Sequence, residues 1–136
     1  MKLQTKRILL RIGGGISIIF MVFHASFNWL FNWSQALQVL SASDRGILLT
    51  FNLIGVLMLF YSVVVTLRFT HQLLENAVGS SILLFFSGFY LVRIFSEVAF
   101  FGFAGAKSVF IIGICLVPIV CFSLPVFIKS KEYAHR

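Results

Sequence analysis

The amino-acid sequence predicts an all-α fold, a bundle of four transmembrane helices that run up, down, up and down. Two observations lead to this class: 60% of the 136 residues are hydrophobic, and only 11% are charged. A soluble domain has about 25% charged residues, and a soluble core of this length would leave much apolar surface in water. The 17 Phe residues exclude a disordered chain, because such chains are poor in aromatic residues.

Four apolar segments account for nearly the whole chain. Each is long enough to cross a hydrocarbon core about 30 Å thick, which takes roughly 20 helical residues. We therefore predict one integral membrane domain over residues 1–136, with helices at about 11–33, 46–69, 81–103 and 108–128.

The first segment follows basic residues, as a signal peptide does. Its apolar stretch is longer than the hydrophobic region of a signal peptide, and no A-x-A-like cleavage site follows. We expect a retained helix.

The links between the segments are short. The sequence Ser-Ala-Ser-Asp at 41–44 offers N-cap residues for the second helix. The link at 104–107 predicts that the third and fourth helices form a tight hairpin.

The distribution of basic residues predicts the orientation. Four crossings place eight basic side chains on one side: Lys2, Lys6, Arg7, Arg11, Arg68, Lys129, Lys131 and Arg136. Only Arg45 and Lys107 fall on the other side. The positive-inside rule then predicts that both termini are cytoplasmic, and we expect the bundle to lie in a plasma membrane. The expected partners are membrane lipids, whereas nucleic acid is disfavoured because the basic residues are split between the two termini.

A few polar side chains interrupt the apolar segments. His24 and Asn28 are four residues apart, and so are Arg93 and Glu97. Residues at this spacing lie on the same face of a helix. With the predicted topology, these four residues and Asn52 lie between the midplane and the outer surface. Together with Tyr90, which precedes Arg93 by three residues, they form a candidate ligand-binding or ion-coupling layer.

Three interpretations of this layer remain open. It is a structural cluster that joins helices, a small polar binding site open to the outer side, or a site for proton or ion passage or for catalysis. In a binding site Arg93 would bind an anionic or carbonyl group and Glu97 would orient Arg93 or carry a proton. His24 would titrate near neutral pH.

Several cofactors are disfavoured by residue spacing. Cys115 and Cys121 are six residues apart and do not form the C-x-x-C pair that thiol oxidases need. Haem in four-helix cytochromes needs paired histidines within the membrane, and only His24 lies within a segment. No metal-ligand spacing or catalytic arrangement is present, so we expect no cofactor, no metal and no catalytic residues.

Small residues mark one face of the first helix. Gly13, Gly14 and Gly15, with Ser17 four residues after Gly13, predict close approach of a neighbouring helix.

The stretch Leu9-Leu10-Arg11-Ile12-Gly13-Gly14-Gly15, with His24 half a helix later, resembles the first helix of DoxX-like membrane proteins. Asn52, followed by Arg93 and Glu97 and then by Phe100-Phe101, resembles uncharacterised small bacterial four-helix membrane proteins. These resemblances imply a four-helix fold in a bacterial inner membrane and imply no activity.

The sequence thus favours a non-enzymatic membrane protein with a polar intramembrane layer. It would bind a lipid or small molecule, or serve as an accessory subunit of a membrane complex. Its possible protein partners are a second copy of the chain or another membrane protein. One alternative is a small oligomeric transporter or channel that uses Glu97 and His24. Another is a membrane enzyme that acts on a lipid or quinone.

Overall fold

A computed structural model describes residues 1–128 and contains four long helices within that range. They are α1 (Leu3–Ala25), α4 (Ala42–Arg68), α6 (Ala77–Ala99) and α7 (Ala106–Phe127). Each is long and apolar enough to span a membrane. The short elements between them are α2 (Phe27–Leu30), α3 (Trp33–Ala36), the 3-10 turn Leu37–Val39, and α5 (Thr70–Glu75).

The first long helix begins and ends earlier than the apolar pattern predicts, at Leu3 and Ala25 rather than near 11 and 33. Hydropathy marks only the apolar stretch, whereas the helical backbone continues through Lys and Arg, which are good helix formers. The helix ends where the Ser26 hydroxyl donates to the Phe23 carbonyl at 2.7 Å. Beyond it, Asn32 adopts a positive φ of 47°, a left-handed conformation that asparagine tolerates.

Side-chain caps set the starts of α4 and α6. The Ser41 hydroxyl accepts from the backbone N–H of Asp44 at 3.1 Å, which confirms that the 41–44 run supplies the N-cap of α4. The Asn76 carbonyl oxygen accepts from the backbone N–H of Gly79 at 2.8 Å. Each bond satisfies one of the orphan donors of a first helical turn.

Helix α1 packs between α4 and α7, and α6 packs against α7. The close approach predicted for the small residues of α1 is confirmed, since Gly13 lies against Phe122 of α7 and Gly14 lies against Thr66 of α4. Gly15, in contrast, faces open space. Gly13 and Gly14 therefore allow close contact with two different helices, and Gly15 takes part in neither contact.

A buried lysine forms a hydrogen bond between the start of α1 and the end of α7. The Lys6 ammonium donates to the Pro125 carbonyl at 2.7 Å. The last carbonyls of a helix lack intrahelical donors and carry a partial negative charge, so a cation there is favourable.

Large apolar side chains cover the outside of the long helices. Phe51, Leu57 and Phe60 on α4 are more than half exposed, and similar residues occur on the other three. In water such a surface would be costly, whereas in a lipid bilayer it is the expected exterior.

Candidate functional site

Glu97, which forms an ion pair with Arg93 on α6, is the most buried charged side chain among the described residues. The Arg93 Nη2 atom donates to Glu97 Oε2 at 2.8 Å. The Glu97 side chain is only 6% exposed, against 29% for Arg93. An acidic side chain in such surroundings needs several donors, and Glu97 has a second one.

That second donor comes from the start of α7. The Ser108 hydroxyl donates to Glu97 Oε1 at 2.8 Å, and the same hydroxyl oxygen accepts from the backbone N–H of Ala104 at 2.9 Å. The turn between α6 and α7, in which Gly102 and Gly105 have positive φ, brings these groups together. Both carboxylate oxygens of Glu97 are therefore bonded.

Arg93 is only partly satisfied. Its Nη1 atom is buried and has no hydrogen-bond partner in residues 1–128. Its guanidinium lies 5.3 Å from the centre of the Phe101 ring, a favourable cation–π arrangement that supplies no acceptor. One donor of the layer is thus left without an acceptor.

His24 and Asn52 form a second pair, between α1 and α4. The His24 Nδ1 and Asn52 Oδ1 atoms are 3.3 Å apart, and Asn52 Nδ2 donates to the His24 carbonyl at 3.2 Å. An amide oxygen only accepts, so this bond places the proton of the neutral ring on Nδ1 and leaves Nε2 as an acceptor. Asn52 also satisfies a carbonyl of the last turn of α1.

The two pairs lie at a similar height in the bundle. The Ser17 and Tyr90 hydroxyls are 2.8 Å apart, which joins α1 to α6. His24 follows Ser17 by seven residues, and Glu97 follows Tyr90 by seven. Since a helix rises 1.5 Å per residue, each lies about 10 Å beyond the hydroxyl contact.

The other two predicted site residues lie apart from these pairs. Tyr90 is 2% exposed and belongs to a hydroxyl cluster at the centre of the bundle. In that cluster Ser17 also lies 3.1 Å from the Ser62 hydroxyl and donates to the Gly13 carbonyl. Asn28 lies in α2, beyond the turn at Ser26, where it is exposed and makes no side-chain hydrogen bond to the described residues.

Sequence reasoning missed the serines of these clusters. A tight hairpin could have indicated Ser108, because Ser108 and Glu97 are equally distant from its centre between Gly102 and Phe103. Nothing in the sequence pairs Ser17 with Ser62 before the helices are docked. Within residues 1–128, no group of three His, Cys, Asp or Glu side chains is arranged to hold a metal ion.

Comparisons with protein-family models, with curated proteins and with solved structures give no match to this chain. The resemblance to DoxX-like proteins stays a prediction. The geometry of the polar layer is then the main guide to function.

Proposed function

We propose that the protein is a non-enzymatic membrane protein whose polar layer binds a lipid or a small molecule. The unpaired Arg93 Nη1 donor carries this proposal. A buried donor left without an acceptor costs free energy, and an acceptor from outside the chain would relieve that cost. A carboxylate, phosphate or carbonyl oxygen suits this position.

The His24 ring adds an acceptor to the same layer. With Nδ1 bonded to Asn52, the Nε2 atom is left as an acceptor for a hydroxyl or acid proton of the ligand. The favoured ligand therefore carries both an acceptor and a donor, as carboxylic acids and hydroxy-carbonyl compounds do. An accessory subunit would satisfy Arg93 in another way, through an acceptor on a partner protein.

We expect Arg93→Lys to lower occupancy by the natural ligand about tenfold or more, the loss of one hydrogen bond from a charged donor. Lysine keeps the charge beside Glu97 but lacks the second arm of the guanidinium. The measurement is native mass spectrometry of protein extracted from membranes in mild detergent, which reports bound molecules of fixed stoichiometry.

Arg45→Lys serves as the matched control, because Arg45 lies on α4 outside the polar layer. The proposal is contradicted if wild-type protein carries no bound molecule, or if Arg93→Lys carries as much as wild type. A protein subunit that copurifies with wild type and is lost from Arg93→Lys would identify the accessory-subunit form instead.

We further propose four up-and-down crossings of a plasma membrane with cytoplasmic termini. The bond between Lys6 and Pro125 supports it, since it joins the start of the first long helix to the end of the last. The predominance of basic residues at that end supports the cytoplasmic assignment.

This topology predicts the labelling of single cysteines introduced after Cys115 and Cys121 are replaced by alanine. A membrane-impermeant maleimide added to intact bacterial cells should label Lys107→Cys and leave Lys2→Cys and Gln72→Cys unlabelled. All three native positions are exposed, so permeabilised cells should label every variant. Labelling of Lys2→Cys in intact cells would reverse the assignment.

A further inference from the structure

A groove separates α4 from α6 at the end of the bundle that holds α5. Helix α4 packs mainly on α1 and α6 mainly on α7, so their facing sides leave a cavity of about 320 Å³. Apolar side chains dominate its wall: Tyr61, Val65, Phe69, Leu73, Val78 and Ile82. From Tyr61 to Phe69 the wall rises about 12 Å along α4, which is a substantial part of one bilayer leaflet.

Helix α5 closes the groove at its polar end. It contacts α1, α4 and α6, and Gly79 of α6 lies against the backbone of Leu73, where any larger side chain would collide. This close approach fixes α5 across the gap between the two long helices. The groove therefore has a defined floor and stays open along its side.

The mouth of the groove offers unused hydrogen-bond donors. Gln72 and Asn76 line it, and Arg68 lies one residue before Phe69. The side chains of Arg68 and Gln72 are exposed and make no hydrogen bond or ion pair to the described residues. Asn76 uses only its carbonyl oxygen, as the α6 cap. The nearby Glu75 carboxylate lies outside the groove lining, with its Oε1 atom 3.0 Å from His71 Nδ1.

We propose that this groove binds an anionic glycerophospholipid of the surrounding membrane. One acyl chain would lie along the apolar wall, and the phosphate would accept from Arg68, Gln72 and the Asn76 amide. The positive charge of Arg68 and the lack of a carboxylate among the residues within 1–128 that line the groove favour an anionic headgroup over a zwitterionic one. The inference rests on the proposed membrane-spanning arrangement and is independent of the Arg93 site.

The test uses the full chain in nanodiscs that contain phosphatidylcholine and phosphatidylglycerol in equal amounts. After release into mild detergent, native mass spectrometry should show phosphatidylglycerol bound in several-fold preference to phosphatidylcholine. Arg68→Gln should reduce that preference about fivefold, as expected for one basic residue near an anionic surface. Val78→Trp, at an exposed position in the wall, should reduce the total lipid retained.

Two matched variants separate the groove from the general lipid surface. Arg45→Gln removes a basic residue at the other end of α4, and Val109→Trp enlarges an exposed valine on α7. Both should retain lipid as wild type does. Equal lipid loss in the controls, or unchanged retention in folded Arg68→Gln and Val78→Trp, would overturn the inference. A dimer that Val78→Trp converts to a monomer without a change in lipid would identify a second copy as the occupant.

Failure of the membrane proposal has a different signature. Wild-type protein would then not enter nanodiscs at all, whereas failure of the groove alone leaves a well-incorporated protein with no lipid preference.

Discussion

Replacing Glu97 with leucine is expected to lower the thermal unfolding midpoint in detergent by on the order of 10 °C. The substitution removes the acceptor of Arg93 Nη2 and of the Ser108 hydroxyl at once. The Arg93 guanidinium would keep only its contact with Phe101 and would be a partly buried, unpaired cation. Replacing one partner of a buried ion pair lowers the free energy of unfolding much more than replacing both partners with apolar residues.

The double variant Arg93→Met/Glu97→Leu should therefore unfold nearer to the wild-type midpoint than Glu97→Leu does. Both replacements are apolar and similar in volume to the native side chains, so they fill the space without an orphaned charge. Loss of intrinsic fluorescence on heating, followed in the same detergent for all three proteins, reports the midpoints. A double variant that is as unstable as Glu97→Leu would show that the ion pair itself is essential to folding.

The same double variant separates structure from function. If the pair only joins α6 to α7, the folded double variant retains whatever the wild type binds. If the free arm of Arg93 holds the ligand, the folded double variant carries none. Stability and ligand occupancy are thus two independent measurements on one protein.

Local sequence explains the helices better than it explains their contacts. The apolar segments indicate four long helices. The cap at Ser41 is also predictable, because it joins residues only three apart in the sequence. Hydropathy did not give the helix starts, because helical backbone continues through polar residues at both ends of a span. This error matters most for α1, where it placed Asn28 inside the helix instead of beyond its end.

The candidate site was predictable where pairs lie on one helix. Arg93 and Glu97 are four residues apart, so their contact follows from helical geometry alone. The contact between His24 and Asn52 depends on how α1 and α4 are rotated about their axes. Asn52, Ser62 and Thr66 lie on one face of α4, and all three contact α1. This stripe could have indicated which side of α4 faces α1, but it does not tell which residue of α1 each one meets.

The small residues of α1 lead to the second large effect, a difference between neighbouring glycines. Gly13→Leu should destabilise the protein by about 1–3 kcal/mol relative to Gly15→Leu, the usual cost of overfilling a packed contact. A Cβ atom at Gly13 would meet the Phe122 ring, which is fully buried and would have to shift within the packed core. A Cβ atom at Gly15 meets nothing within 4 Å.

The two variants make a close comparison, because they introduce the same side chain into the same helix only two residues apart. The change in helix propensity is shared, so the difference between them reports the contact of α1 with α7. Reversible unfolding in a titration of denaturing detergent into mild detergent supplies the two free energies of unfolding. Equal free energies would mean that α1 does not approach α7 at Gly13. A loss confined to Gly13→Leu would show that this contact, which also lies on the Lys6–Pro125 side of the bundle, holds the first and last long helices together.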